Sequence, residues 1–271
     1  MGRRAVRPAG EVRPTREEAL SAQDPYRFTT VAHAGRDLLG PCSVATVDSL
    51  LSRLPRGGPG LGVLDVGCGK GEILVRALRH TGGRGIGVEP NHAFAADARE
   101  RALQRLSPDR VRIVESAFDT SLLEPHTFDL GICTGALHAF GDWRDALDGM
   151  AWSVKPDGWA LLGPGYWKKP PDPEYLAALG AKAVEQESLP LTLAAAENAG
   201  WKVIDCHAST LDEWDEYEGV YASNMRQWCD EHPRDRDARA FRERIENWAA
   251  AYARWGRDTM GYALMLLRRE T

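Results

Sequence analysis

Residues 63–72 read Val63-Leu64-Asp65-Val66-Gly67-Cys68-Gly69-Lys70-Gly71-Glu72. The apolar run Gly62–Val66 has the length and branching of a buried strand. It stops at three glycines in alternate positions, Gly67, Gly69 and Gly71, and a helical pattern, Ile73–Arg79, follows at once. Glycine, lacking Cβ, lets a backbone turn sharply and lie flat against a ligand. The helix start behind the turn presents N–H groups to negative charge. A second apolar run, Gly85–Val88, ends in Glu89. Strand, glycine turn, helix, strand and acid together are the layout of a nucleoside-binding α/β unit.

Outward from this stretch, strands and helices keep alternating. The helix His92–Leu106, the strands Arg110–Val114 and Phe128–Thr134, the helix Trp143–Ser153 stopped by Pro156-Asp157-Gly158, and the strand Trp159–Leu162 are expected in order. Such βα repetition gives a mostly parallel sheet with helices on both faces. A short helix, Glu174–Leu179, and a longer one, Leu191–Ala199, end at Gly180 and Gly200, as C′ glycines do. Trp201–Cys206 and Thr259–Leu267 read as further strands, with two long helices, about 211–230 and 236–256, between them. Upstream, helical patterns cover Thr30–Leu39 and Val44–Leu54, the second with Ser43 as N-cap. The domain reading is a disordered tail at 1–24, N-terminal helices over 25–56, an α/β domain over 57–209 and 258–271, and a helical cap inserted at 210–257.

The composition narrows the partners. A net charge of −5 over 271 residues argues against a broad nucleic-acid surface, which needs a basic face. Arg3, Arg4, Arg7, Arg13 and Arg16 form a local exception in the tail. No stretch approaches the roughly 18–20 apolar residues of a membrane-spanning helix. Cys42, Cys68, Cys133, Cys206 and Cys229 show no CxxC spacing, so neither a metal centre nor a redox pair is expected, and reduced cysteines fit a cytoplasmic protein.

The G-x-G-x-G spacing, with Asp65 two residues before Gly67, departs from the G-x-G-x-x-G of dinucleotide sites. It resembles motif I of the class I S-adenosylmethionine (SAM)-dependent methyltransferases, and the resemblance runs over about residues 60–270. It implies a Rossmann-like fold of seven mostly parallel strands, with SAM as cofactor. The turn Asp65, Gly67, Cys68, Gly69 and Gly71 would then hold the methionine part, its N–H groups facing the carboxylate. Glu89 would take the ribose hydroxyls, and the carbonyls of Gly67 or Thr134 the amine. The family's adenine-binding acid is replaced here by Ala117, which leaves backbone groups, Phe118 or Asp119 for that role.

His138, after the fourth strand, is open to three roles: general base, pocket wall touching SAM, or structural histidine. His33 and Arg36 belong to an N-terminal helix able to fold over SAM; Arg36 is either a partner of the SAM carboxylate or a surface ion pair. Tyr166 and Trp167 stand where the family lines its acceptor site. Trp214, Tyr217 and Tyr221 share one face of the first cap helix, either as acceptor contacts or as a packing seam with Phe241, Ile245, Trp248, Tyr252 and Trp255. Asp212, Glu213, Asp215 and Glu216 are either an attraction for a cationic acceptor or helix-capping acids, with Thr210-x-x-Glu213 a capping-box pattern. The leading expectation is methyl transfer to a small-molecule acceptor. A SAM-binding sensor, a SAM enzyme of aminopropyl type and an NAD(P)-dependent oxidoreductase are the alternatives; the glycine spacing opposes the last.

Overall fold

The structure is a computed structural model that describes residues 24–119 and 124–270. The expected tail, apart from Asp24, lies outside the described residues. The elements run α1 (Arg27–Ala32), α2 (Val44–Leu51), β1 (Gly62–Val66), α3 (Glu72–Thr81), β2 (Arg84–Val88), α4 (His92–Arg105), β3 (Val111–Val114) and β4 (Phe128–Cys133). They continue with α5 (Trp143–Ser153), β5 (Val154–Leu162), β6 (Gly165–Trp167), α6 (Pro173–Leu179), α7 (Leu189–Asn198), β7 (Trp201–Ala208), α8 (Leu211–Glu231), α9 (Ala238–Ala251) and β8 (Met260–Arg269).

Strand order is β3-β2-β1-β4-β5-β8, with β7 on the far side of β8. The first five strands are parallel and β8 is antiparallel to its neighbours. This is the Rossmann-like sheet that the resemblance implies, with one addition. After a break at Gly163-Pro164, β6 continues the line of β5 and pairs Tyr166 with Gly261 of β8. Alternating side chains sort to the two faces: Leu264 and Leu266 join Val47, Leu51, Leu74 and Leu78 on one side. Ala263, Met265 and Leu267 join Leu147, Met150, Ala195 and Ala196 on the other.

Two local expectations change. The first helix ends at Ala32, not Leu39, because tertiary donors take its last carbonyls: Asn224 Nδ2 donates to Ala32 and Ala34, and Lys70 Nζ to His33. Pro156-Asp157-Gly158 does not precede β5 but lies inside it, as an irregularity opposite Phe128–Leu130 with Asp157 at φ +61°.

The helices α8 and α9 stand between β7 and β8. Thr210 and Glu213 form the reciprocal capping box at the start of α8. The pair is fastened to α1, where Phe28 packs with Met225, Cys229 and Ile245 and Arg27 pairs with Asp235 and Asp237.

Candidate active site

The sheet reverses its winding between β1 and β4, and the crevice outside the carboxyl ends of β1, β2 and β4 is where α/β sheets bind ligands. The glycine turn forms its floor. Gly67, Gly69 and Gly71 all have positive φ (67°, 53° and 75°). A Cβ on Gly67 would sit 2.2 Å from Ala136 Cβ, and one on Gly69 2.6 Å from Leu39 Cδ1. Only glycine therefore fits beneath these two neighbouring segments.

The turn satisfies most of its own donors. The N–H groups of Gly67 and Cys68 donate to Val88 O (2.8 and 3.0 Å), that of Gly71 to Cys68 O, and that of Gly69 to Glu89 Oε2 (2.9 Å). The expectation that N–H groups across Gly67–Gly71 would face a carboxylate is thus corrected, because the turn holds its shape with those same bonds. Buried Lys70 brings a cation to the turn, over the Phe94 ring and 3.4 Å from Asp97.

Glu89 is buried, with Oε1 accepting from Asn91 N and Oε2 from Gly69 N, both at 2.9 Å. Burial pushes its carboxyl up, and the two N–H bonds and His138 partly offset this. Asp65 is also buried, and burial together with the Glu89 charge raises it further. Glu89 lines the crevice, while Asp65 lies behind the glycine turn with Lys70. The crevice is a cavity of about 640 Å³ that touches Glu89, Ala117, Phe118, Thr134, His138 and His33. That is within the roughly 300–1,000 Å³ of small-ligand sites.

This fold and this crevice recur in known proteins. Residues 63–158 match the family described as "Methyltransferase domain". A SAM-dependent methyltransferase from Geobacter sulfurreducens, solved in complex with S-adenosyl-L-homocysteine, superposes with a TM-score of 0.81 at 26% identity, covering 90% of this chain and 98% of that one. The chain belongs to the class I SAM-dependent methyltransferases. Escherichia coli YjhP, an uncharacterized protein, is 29% identical over 219 residues, 80% of this methyltransferase and 88% of YjhP. Its crystal structure gives a TM-score of 0.80, covering 90% of this chain and 100% of that one.

In this methyltransferase the crevice opens past Thr134 and Gly135 into a second cavity of about 240 Å³, walled by Trp214, Tyr217, Glu218, Trp248, Tyr252 and Tyr262. His33 joins the two regions. Its Nδ1 meets Thr29 O at 2.8 Å, which sets it as donor, so Nε2 accepts from Tyr217 Oη at 3.0 Å. Burial, helped by Lys70 and Arg36, lowers its pKa to about 4 and keeps it neutral. Thr134 O accepts from Tyr262 Oη at 3.1 Å.

The structure separates the expected residues. His33, Tyr217 and Tyr221 line the crevice, and Trp214 the second cavity. Tyr166 and Trp167 line neither. As β6 residues they are buried in the sheet layer: a Cβ on Gly261 would sit 2.2 Å from Tyr166 Cζ, and Trp167 Nε1 donates to Ala183 O at 2.9 Å. Arg36 lies over the Tyr217 ring and 3.7 Å from Glu216, the ion-pair alternative. Asp215 pairs with Arg257. The aromatics divide, with Trp228 and Phe241 forming a seam against Phe28 while Trp248 and Tyr252 wall the cavity. The residue missed in the sequence is Glu218, whose spacing of i+4 from Trp214 and i−4 from Ala222 put a carboxylate on a buried stripe.

Proposed function

We propose that this chain transfers the methyl group of SAM to a nucleophile on a small-molecule acceptor by in-line displacement. The observation that carries the reading is Glu89, fixed by two backbone N–H groups on the wall of a crevice that adjoins a second cavity lined by aromatic side chains. When bound, SAM supplies an electrophilic methyl on a sulfonium. Everything else is placement and exclusion of water.

In this reading the Glu89 carboxylate takes the ribose diol through charge-assisted bonds. Asp65 and Lys70, of opposite charge beside the glycine turn, hold the amino-acid end. Phe118, packed 4.8 Å from the Phe140 ring, and the backbone at Ala117 face the adenine, while Thr134 marks the junction with the acceptor cavity. His138 acts as a pocket wall. Its ring is exposed, adjoins the crevice and does not adjoin the second cavity. The helices α8 and α9 act as a cap over the acceptor, and the scattered cysteines support a reducing, cytoplasmic setting.

Incubation with methyl-labelled SAM and a panel of amines, phenols, carboxylic acids and thiols tests the proposal. Label should move to at least one small molecule, with one S-adenosylhomocysteine formed per product. SAM binding without transfer to any acceptor would replace it with the sensor reading.

A further inference from the structure

We propose that the cavity beneath α8 and α9 binds an organic cation, an amine acceptor that enters as its ammonium form and passes its proton to the Glu218 carboxylate before the freed nitrogen attacks the SAM methyl, with Trp214, Tyr217, Trp248 and Tyr252 as the surrounding rings. The inference rests on the small-molecule methyltransferase reading and names its substrate class.

Glu218 is 7% exposed and borders both the crevice and the second cavity. One oxygen accepts from Trp248 Nε1 at 2.6 Å. The other has no hydrogen-bond partner among the described residues. Neighbouring acids of α8 are differently placed: Asp215 has Arg257, and Glu216 faces Arg36. Among the described residues no lysine, arginine or histidine pairs with Glu218, and burial moves its carboxyl to about 7. A buried carboxylate without a cation is costly, and a ligand that brings the cation removes the cost.

The rings supply the rest. Trp214 and Tyr252 stack at 6.3 Å with 24° between planes, and Trp214 and Tyr217 meet edge to face at 6.4 Å. Aromatic faces attract ammonium groups, more strongly once water is excluded. The tyrosine hydroxyls leave the carboxylate unrivalled as the charged group, since Tyr217 donates to His33 and Tyr252 to Asp215. An anionic acceptor would meet repulsion here, and a neutral phenol would give Glu218 a hydrogen bond but no counter-charge.

The experiment titrates the full chain with tetramethylammonium and, separately, tert-butanol as a neutral analogue of similar shape, reading tryptophan fluorescence in the presence of S-adenosylhomocysteine. The expected result is saturable binding of the cation and none of the alcohol. Glu218→Gln should weaken cation binding at least about tenfold while S-adenosylhomocysteine affinity, measured by calorimetry, stays within about threefold. Equal responses to cation and alcohol in the wild-type protein would overturn the proposal without reliance on any variant. So would a Glu218→Gln protein that keeps its cation affinity, or one that loses S-adenosylhomocysteine as strongly as the cation. Wild-type protein that binds tetramethylammonium but not S-adenosylhomocysteine would instead remove the methyltransferase reading and leave the cation site standing.

Discussion

The crevice at the glycine turn and the chamber under α8 and α9 adjoin, yet they are built in different ways. The crevice is shaped by backbone. Three glycines with positive φ, two N–H bonds to Val88 O and two to Glu89 fix it within 30 residues of sequence, from Gly62 to Asn91. The chamber is shaped by side chains from α6, α8, α9, the helical turn after α9 and β8, brought together by packing. A site framed by backbone suits a ligand that never changes, because the side chains that meet it, Glu89 above all, are held in place by that frame. A side-chain site can be re-specified by one substitution, which suits the acceptor end of an enzyme whose cofactor is constant.

The contrast can be broken most severely at Gly67. In Gly67→Val the new side chain would collide with Ala136 and require an unfavourable φ. S-adenosylhomocysteine affinity should fall more than about a hundredfold, roughly 3 kcal/mol. Trp214→Phe, measured in parallel by calorimetry, should change it less than about threefold. Equal losses would show that the two regions are not separable.

Glu72 tests the support behind the turn. Burial would raise its carboxyl, but hydrogen bonds and charge from Arg105, Arg76 and Arg101 outweigh that and hold it at about 2. Its folded-state pKa lies below the ordinary 4.5, so its contribution is complete above that value and is lost as pH falls from 4.5 through 2. Urea unfolding of Glu72→Ala near neutrality should show a loss of about 3 kcal/mol. The deficit should shrink on acidification across that window, and a pH-independent deficit would argue for lost packing instead.

Smaller effects sharpen the chamber side. Tyr217→Phe removes the hydroxyl that His33 Nε2 accepts and should cost about 1 kcal/mol of stability in denaturant melts. His138→Ala should weaken S-adenosylhomocysteine by only about twofold to fivefold, with turnover changing in step. A fall in turnover at unchanged affinity would restore the general-base role.

The sequence made the strand, turn, helix and acid legible because each signal is local. Glycine spacing and an acid after a strand do not depend on distant parts of the chain. Ala117 marked where the adenine contacts must differ for the same reason. Tyr166 and Trp167 were misplaced because a three-residue strand, β6, pairs with β8 across about ninety-five residues of sequence, and nothing local announces that pairing. The aromatic periodicity of α8 was visible, but which rings faced α1 and which faced the cavity depended on how α1 docks. Acids at the exposed start of α8 drew attention that belonged to Glu218, whose place among Trp214, Ala222 and Met225 on one helical stripe was the available clue.

Calorimetric titration of S-adenosylhomocysteine into wild-type protein and Glu89→Ala bears most directly on the central claim. The expected result is one site per chain in the wild type and an affinity at least about tenfold weaker in the variant, roughly 1.4 kcal/mol, with both proteins folded. Unchanged affinity in Glu89→Ala, or no binding to the wild-type chain, would contradict the assignment of the crevice.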